Sequence, residues 1–425
     1  MNPLRIQFVS RSLPIPGHAG GFTYVLNFLQ FLQANGHAVE IVALDPALSW
    51  RPWYRLPREL TGMADIRVAG NCRLGQWLVR TSWAVWCRAL AAKLGRRTDA
   101  AVVLPVNNGD LTLTKCEFVR DTARQGRPDI AMAHSVFLTP VLEGLQGPLK
   151  TVLAYDVHHQ RATSLDSSGY QSAGLQRLSR SQEVELLQKA EVVIAIQEDE
   201  AREFRTMVPD REVLTMPMAI PTASSVASQV AGRCLYVGGN NVSSAQGLVW
   251  FIREVWPLIR AANPHTHLHV CGIVGKAIEE NHPDLWQSAP RNNVTFRGRI
   301  PDLGSEYSAA EVVVIPLLSG SGLKIKLIEA LAHGRAIVST SIGVQGVAQQ
   351  VAGIVEIAEE PQNFADAVTN LLRDPQTRTS CEQKARQLIA DKYSPDAIYG
   401  PVIRRLGELV TAKRCSTPAS LQYAR

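Results

Sequence analysis

The sequence predicts an α/β protein with two doubly wound, Rossmann-like units, each built on a parallel sheet. Short apolar runs alternate with longer amphipathic runs along nearly the whole chain, which is typical of parallel strands joined by covering helices. The alternation occurs in two series, and the stretch PMAIPTASSVASQVAG between them is rich in Pro, Ser and Ala and poor in charge. Such a composition indicates a linker between two domains.

The first series begins with a strand over Arg5–Ser10. The loop SRSLPIPGHAGG leads into the helix FTYVLNFLQFLQANG, whose apolar residues recur at helical spacing and whose Gly36 suits a C-terminal cap. HAVEIVAL is the next strand. Further strands are predicted at residues 101–104, 130–133, 151–155 and 192–196.

The second series has strands in RCLYVGG, LHVCG, NVTFRG, EVVVIPL, AIVST and GIVEI. We therefore predict an N-terminal unit over residues 1–217, a linker over 218–230 and a C-terminal unit over 231–392. A helix at about 393–412 is expected to pack back on the N-terminal unit, with a disordered tail over 413–425. Parallel sheets of this kind bind ligands at the carboxyl ends of their strands, so two facing units would enclose a cleft.

Composition limits the class of protein. With 425 residues, 46% apolar content and 19% charge, the chain can bury large cores and is expected to be soluble. MNPLRIQFVS has no signal-peptide pattern, and no apolar run reaches the roughly 20 residues that cross a bilayer. Seven scattered cysteines without a CxxC motif argue against a disulfide framework or structural zinc. We expect a cytoplasmic protein, either free or peripheral at the inner face of the membrane.

Positive charge is concentrated in one segment. Between Arg51 and Arg97 there are ten basic residues and two acidic ones, together with or next to five tryptophans, Trp50, Trp53, Trp77, Trp83 and Trp86. This mixture suits anionic lipid headgroups or nucleic acid. No base-reading motif accompanies it, so nucleic acid is not expected as a partner. The first interpretation is a set of ordinary surface helices whose tryptophans face the core. The alternative is contact of residues 50–97 with an anionic membrane surface, through residues such as Arg80, Arg88 and Arg96.

The segment LLSGSGLKIKLIEALAHGRAIVST, residues 317–340, predicts a binding turn. A buried strand precedes the turn and a helix follows it, and glycines there let backbone N–H groups approach a phosphate. Gly322, Lys326 and Glu329 share one helix face, which places a cation near the phosphates and a carboxylate about one turn farther on. A carboxylate at that position can accept hydrogen bonds from ribose, so a nucleoside diphosphate fits. The alternative is a plain helix start with solvated lysines.

The segment PLLSGSGLKIKLIEALAHGRAIVSTSIGVQGV closely resembles the donor-nucleotide segment of the family 4, or group 1, glycosyltransferases. These enzymes have the GT-B fold of two facing Rossmann-like domains. LYVGGNNVSSAQGLVWFIREVWPLI, LHVCG and NVTFRGRIPDLGSEYSAAEVVVIPL follow in the family's order, and PDIAMAHS and AEVVIAIQEDEAREF match in the first half. The resemblance covers most of residues 4–400.

The resemblance implies transfer of a sugar from a UDP- or GDP-sugar, usually with retention, and without a required metal or other cofactor. The acceptor would be a sugar, a glycan or a lipid-linked group in polysaccharide or glycolipid assembly. Glu329 would hold the ribose, and His134 would lie near the transferred sugar. The remaining donor-side residues would lie by the diphosphate, the base or the acceptor: Gly20, Gly21, Gly238, Gly239, Asn240, Gly320, Ser321, Gly322, Leu323, Lys324 and Lys326.

Two positions depart from the family pattern. Many relatives have a glutamate that contacts the donor sugar where this chain has Ser321. Residues 238–250, where relatives often have an arginine and a lysine on the diphosphate, contain neither. Lys324 or Lys326 would then supply the positive charge. A non-catalytic partner subunit or a nucleotide-sugar epimerase of similar fold are the alternatives.

Three further groups of polar residues lie at positions that could take part in chemistry. TVLAYDVHHQR places Asp156, His158, His159 and Arg161 at the carboxyl end of a strand, where they would act as general base or bind the acceptor, or form a plain polar loop. His265, His267 and His269 alternate along a strand, but no fourth zinc ligand is evident. The acidic residues at 198–200 do not form the DxD motif of manganese-dependent transferases and are expected to complement a helix dipole.

Overall fold

The computed structural model describes residues 3–15, 20–45, 52–93, 111–160, 177–220, 229–239, 241–300, 303–320 and 324–416. The chain divides into two compact units, one formed by Met1–Pro217 with Tyr399–Arg425 and one by Met218–Ile398. The predicted strand at 101–104 lies outside the described residues.

The first unit is built on a seven-stranded parallel sheet with the strand order β10-β9-β8-β7-β1-β2-β4. A separate antiparallel sheet has the order β3-β6-β5. The strands of this unit are β1 (Arg5–Ser10), β2 (Ala38–Ala43), β3 (Trp53–Arg55), β4 (Asp65–Val68), β5 (Asn71–Leu74), β6 (Trp77–Arg80), β7 (Ile130–Ala133), β8 (Leu149–Ala154), β9 (Val192–Ala195) and β10 (Glu212–Thr215).

The first unit also contains helices. They span Gly20–Ala34, Arg58–Thr61, Trp83–Lys93, Leu113–Gly126, Arg180–Leu187 and Glu198–Met207, with a 3-10 helix at Val136–Leu142 and the long helix Pro395–Ser416. The central strands β7 and β9 are buried at every position, as expected of parallel strands covered on both faces. Tyr399 of the long helix packs edge-on against Phe28, with 5.2 Å between the ring centroids.

The second unit has a six-stranded parallel sheet with the order β13-β12-β11-β14-β15-β16. Its strands are β11 (Arg233–Val237), β12 (His267–Cys271), β13 (Val294–Gly298), β14 (Val312–Ile315), β15 (Ala336–Ser339) and β16 (Val355–Ile357). Its helices, including short 3-10 and π segments, span Val242–Trp250, Phe251–Val255, Trp256–Ala262, Val274–Asn281, Pro283–Ser288, Pro290–Asn292, Gly304–Ala309, Ile325–Ala332, Ile342–Val344, Pro361–Arg373, Pro375–Leu388 and Ile389–Tyr393.

Two interpretations of the sequence were wrong. The segment around Trp53 and Trp77 forms short strands rather than only helices, and Trp53, Trp77 and Trp83 are exposed rather than facing the core. The tail was expected to be disordered from Lys413, but the helix continues to Ser416. The ammonium group of Lys413 donates to the carbonyl of Pro148 at 3.0 Å, so tertiary contacts hold the last helical turn in place.

Candidate functional site

Glycines shape the edge of the second unit's sheet where β11 and β12 end. The N–H of Gly238 donates to the carbonyl of Cys271 at 2.9 Å. A Cβ at Gly272 would lie 2.2 Å from the oxygen of Gly238, and one at Gly238 would lie 2.7 Å from the Tyr236 ring. These glycines allow two backbone segments to approach each other at the carboxyl ends of the strands. Gly238 and Gly239 are at this edge as predicted, and Asn240 lies outside the described residues.

The helix Val242–Trp250 begins at this edge and points its N-terminus toward the end of β14. Asn241 caps the helix, because its side-chain oxygen accepts the Ser244 N–H at 2.8 Å. A Cβ at Gly247 would lie 2.2 Å from the oxygen of Pro316, so the helix packs directly on the backbone that follows β14. Only glycine permits this approach.

A small polar cluster joins the helix start to the turn after β14. Ser319 donates its hydroxyl to Ser243 Oγ at 3.2 Å and lies 3.4 Å from Gln246 Oε1. Gly320 has a φ of +121°, and a Cβ there would lie 3.3 Å from Ser243 Oγ. Gly320 therefore occupies a conformation and a space that suit glycine. Ser321, Gly322 and Leu323 lie outside the described residues.

Two lysines complete this cluster. Lys324 Nζ donates to the carbonyl of Gly320 at 3.2 Å, and Lys326 Nζ donates to Ser244 Oγ at 3.2 Å. The Lys326 ammonium also lies 5.2 Å from the centroid of the Tyr236 ring. Burial, assisted by the positive charge of Lys324, lowers the pKa of Lys326 to about 8. An anion bound here would favour the protonated form of Lys326, because opposite charge stabilises the ammonium.

Glu329 lies on the same helix face as Lys326, one turn farther along. The hydroxyl of Tyr307, itself buried, donates to Glu329 Oε2 at 3.3 Å. Burial raises the pKa of Glu329 to about 7, while the Tyr307 hydrogen bond and the Lys326 charge act in the opposite direction. Burial of a charged carboxylate is energetically unfavourable, and carboxyl groups with raised pKa values are common in ligand-binding sites.

The structure thus brings together Gly320, Lys324 and Lys326, and places Glu329 one turn away. Sequence reasoning missed their partners Ser243, Ser244, Gln246 and Tyr307. The polar run NNVSSAQ, directly after an apolar strand, was the signal that could have identified the serines. A helix N-terminus, hydroxyl groups and two ammonium groups lie together here, and groups of these kinds are suited to binding phosphate. We call this arrangement the cradle.

In the first unit, His134 follows β7 and forms a chain of side-chain contacts. Its Nδ1 lies 3.1 Å from Ser10 Oγ, and its Nε2 contacts the hydroxyl of Tyr155. The Ser10 hydroxyl donates to the carbonyl of Ser12 at 2.8 Å, so Ser10 Oγ is free only to accept from His134. The proton of the neutral ring therefore lies on Nδ1, and Nε2 accepts from Tyr155.

Burial also decides the charge of His134. It lowers the pKa of the imidazole to about 4, so the ring is neutral at physiological pH. Because both ring nitrogens already have partners, this geometry favours a positioning role over proton transfer. The three residues lie where β1, β7 and β8 end, the edge at which parallel sheets bind ligands.

The turn after β8 carries the predicted Asp156 and His158, and a buried carboxylate fixes it. Glu183 accepts the backbone N–H groups of His158 and His159 at 2.9 and 3.0 Å, and its Oε2 lies 2.8 Å from His159 Nδ1. Its side chain is fully buried. Sequence reasoning missed Glu183, because it lies 24 residues beyond His159 on a helix of mixed polarity.

The remaining predicted residues are placed as follows. Gly20 and Gly21 begin the helix Gly20–Ala34, after the end of β1. Arg161 lies outside the described residues. The acidic residues 198–200 form the first turn of Glu198–Met207, as predicted.

The histidines of β12 do not converge on one site. His269 Nδ1 lies 2.7 Å from Glu306, whose other oxygen accepts from Arg297 at 3.1 Å, whereas His267 is exposed. Across the described ranges, no group of three His, Cys, Asp or Glu side chains is arranged to hold a metal ion. Within those ranges, every helix is also too short or too polar to span a bilayer.

Comparison with known families matches most of the chain. Residues 231–374 match the family model described as "Glycosyl transferases group 1". Residues 19–218 match the model described as "Glycosyl transferase 4-like domain". The residues of the cradle lie within the first of these matches, and His134 and Tyr155 lie within the second.

A relative from Klebsiella pneumoniae, "Uncharacterized 44.6 kDa protein in cps region", is 24% identical over 176 residues. The match covers 40% of this chain and 45% of that protein, so the chain spans less than half the length of this relative.

Two solved structures are similar over almost the whole chain. Anabaena Alr3699/HepE in complex with UDP-glucose has a TM-score of 0.62 and 14% identity, covering 96% of this chain and 100% of its own. WaaG, a glycosyltransferase involved in lipopolysaccharide biosynthesis, has a TM-score of 0.57 and 15% identity, covering 93% of this chain and 100% of its own. At this identity the likeness shows the fold, which is the GT-B architecture of two Rossmann-like units.

Proposed function

The chain belongs to the group 1 glycosyltransferases, and we propose that it transfers a sugar from a nucleoside diphosphate sugar to an acceptor. One observation supports the donor class most directly, namely the cradle formed by Lys324, Lys326, Ser244 and the Gly320 turn. It supplies two positive charges and the N-terminus of a helix at the carboxyl edge of the sheet. Such a site suits a diphosphate.

In this proposal the residues have separate tasks. Lys326 and the helix Val242–Trp250 bind the diphosphate, and Glu329 accepts hydrogen bonds from the ribose. Negative charge builds up on the diphosphate as the bond to the sugar breaks, and fixed cations stabilise that charge most. Lys326 takes the place of the basic pair that many relatives have at the positions of residues 238–250. The charge that a divalent cation would provide is then available from the lysines, so we propose transfer without a metal. We propose retention because the resemblance to the group 1 glycosyltransferases implies it.

We propose UDP as the nucleotide ahead of GDP. The reason is the similarity to a protein solved in complex with UDP-glucose.

We propose that the first unit serves the acceptor and the transferred sugar. His134 would position the sugar through a neutral ring, while the turn held by Glu183 would present Asp156 and His158 to the acceptor. A glycan or lipid-linked acceptor in polysaccharide or glycolipid assembly is proposed, since a protein of the same fold is a glycosyltransferase of lipopolysaccharide biosynthesis. Arg161 and Ser321 remain predictions about residues outside the described ranges.

The experiment is a thermal-shift and calorimetric screen of UDP, GDP, ADP and dTDP, each with and without EDTA. It uses the wild type, Glu329→Ala, and Glu279→Ala as a matched control on another helix of the same unit. We expect UDP to raise the Tm of the wild type and the control with EDTA present, and to fail with Glu329→Ala. Absence of binding by every diphosphate would contradict the donor site and favour a non-catalytic partner subunit.

A second assay separates transfer from epimerisation. The protein is incubated with the UDP-sugar identified by the screen, with and without acceptor sugars, and the products are analysed. Formation of a new glycosidic bond only with acceptor supports the transferase. An isomerised nucleotide sugar formed without any acceptor would instead show an epimerase.

A further inference from the structure

The antiparallel sheet β3-β6-β5 has one face of unusual composition. Its register places Trp53 opposite Val79, Arg55 and Leu74 opposite Trp77, and Cys72 opposite Val79. Directly opposed residues of an antiparallel pair project from the same face, and residues two apart share that face. We call this set the outer face; it consists of Trp53, Arg55, Cys72, Leu74, Trp77 and Val79.

The outer face points to solvent, although most of it is apolar. Trp53 is 47% exposed, Leu74 64% and Trp77 41%. The opposite face carries Leu78, which is only 1% exposed. A sheet normally buries its apolar face and exposes its polar one, and this sheet exposes large apolar side chains.

The apolar surface continues onto the helix Trp83–Lys93. The ring of Trp86 lies 5.6 Å from that of Trp53, which joins the helix to the outer face. On the same helix Trp83 is 78% exposed and Leu90 is 61% exposed. Sheet and helix together therefore present three exposed tryptophans and two exposed leucines.

The segment that contains this surface has an excess of positive charge. Residues 52–93 contain seven basic and two acidic residues by sequence. Asp65 is engaged by Arg73 at 2.9 Å, and Arg67 is engaged by Glu40 at 2.7 Å. Arg55 is exposed on the outer face, and its guanidinium donates to the neutral Gln76 Oε1 at 3.1 and 2.9 Å. No carboxylate among the described residues forms an ion pair with Arg55, so its charge is not cancelled there. Arg58, at the start of the helix that follows β3, is exposed as well.

We propose that the outer face and the helix Trp83–Lys93 form a docking surface for an anionic lipid bilayer. Tryptophan side chains are stable at the level of the headgroups, where one end is apolar and the other is wet. Each arginine near an anionic membrane adds about 1 kcal/mol of attraction. An exposed apolar area that includes the cationic Arg55 matches that surface in both polarity and charge. The inference goes beyond the proposed function and does not depend on it.

The structure selects different arginines for the membrane-binding test from those that the sequence suggested. Arg80 pairs with Asn71 across the sheet and lies on the face opposite Trp77 and Val79, with its Nε buried. It is therefore not a lipid-facing residue as the sequence suggested. Arg96 lies outside the described residues. Arg55 and Arg58 are the cations to test.

The test is co-sedimentation of the full chain with vesicles of phosphatidylcholine alone or with added phosphatidylglycerol. We expect binding to the anionic vesicles, and loss of at least about tenfold in affinity for Trp53→Ser with Trp77→Ser and for Arg55→Glu with Arg58→Glu. Ile357→Ser, at a residue 47% exposed on the second unit, and Arg202→Glu are matched controls that should bind as the wild type does. Far-ultraviolet circular dichroism and thermal melting check that each variant is folded.

A second readout uses the native thiols. Cys72, on the outer face, and Cys415, on the C-terminal helix, are both exposed. We expect anionic vesicles to slow the reaction of Cys72 with a charged maleimide while Cys415 reacts at an unchanged rate. Equal sedimentation of wild type and variants, or an unprotected Cys72, would overturn the proposal. So would protection of Cys72 that depends on protein concentration without vesicles, since this would show a second copy of the chain on the face.

Discussion

The ammonium nitrogen of Lys326 lies 3.2 Å from the hydroxyl oxygen of Ser244, in the first turn of another helix. This contact places a cation at the positive end of a helix dipole, where like partial charges repel. Burial there lowers the pKa of Lys326 to about 8. Such an arrangement is unfavourable without an anion and favourable with one, so it indicates a site prepared for a phosphate.

Lys326→Met should weaken nucleotide diphosphate binding by about 10- to 100-fold, which corresponds to loss of one charge-assisted contact of ~1.5–3 kcal/mol. Calorimetric titration with UDP measures the change. Lys276→Met, at an exposed lysine paired with Glu280 at 3.6 Å, is the control and should bind normally. An unchanged affinity in Lys326→Met would exclude this lysine from the diphosphate site.

Glu329→Gln should weaken nucleotide binding at pH 8 yet raise the Tm of the free protein there. The pKa of Glu329 is about 7 in the folded chain against an ordinary 4.5, so the folded state binds the proton more tightly than the unfolded one. Wild-type stability therefore falls as pH rises from about 4.5 to 7, and the variant lacks this loss. Thermal melts of both proteins at pH 5 and pH 8 test the sign of the change in Tm. A Tm lower than that of the wild type at pH 8 would contradict the prediction.

Gly247→Ala should destabilise the second unit and reduce nucleotide binding, because its Cβ would lie 2.2 Å from the oxygen of Pro316. The collision would push the helix Val242–Trp250 away from the turn at Gly320. Gly400→Ala is the matched control, since a Cβ there meets nothing within 4 Å in another helix. That control should gain up to ~1 kcal/mol from helix propensity. Equal Tm values for the two variants would disprove the close approach.

Glu183→Ala should lower stability by about 3 kcal/mol, because it leaves two backbone N–H groups and the His159 ring without their acceptor. Denaturant unfolding measures this loss. We also expect a lower kcat/KM for the acceptor with an unchanged Kd for UDP, which separates positioning of the turn from general damage. Glu203→Ala, whose closest contact to His159 is 3.9 Å, should have a much smaller effect on both quantities.

His134→Gln should change the acid stability of the chain. The pKa of His134 is about 4 when folded against an ordinary 6.5, so the unfolded state takes up a proton first as pH falls. Wild-type stability therefore declines from about pH 6.5 to pH 4, and the stability advantage over the variant should shrink in that range. Thermal melts of the wild type and the variant at pH 7, 6 and 5 measure the difference between their Tm values. A difference that does not change with pH would show that His134 is not held neutral.

The second sheet could be read from the sequence almost strand by strand. RCLYVGG contains β11 (Arg233–Val237), and AIVST contains β15 (Ala336–Ser339). Buried parallel strands are continuous apolar runs bounded by glycine or polar residues, so their signal is local. The small sheet β3-β6-β5 was missed because its strands have three or four residues and mix Trp with Arg. Such strands have no period long enough to recognise.

The sequence by itself determined the α/β class, the two series of strands, and the spacing that puts Lys326 and Glu329 on one helix face. These features depend on residues a few positions apart, which one helix or strand places by its own geometry. The tertiary structure alone decided that Lys326 meets Ser244, 82 residues away, that Ser10 and Tyr155 hold His134, and that Trp53 and Trp77 face solvent. Those relationships arise from sheet order and strand register, which bring distant segments of the chain together. A sequence pattern a few residues long does not contain this information.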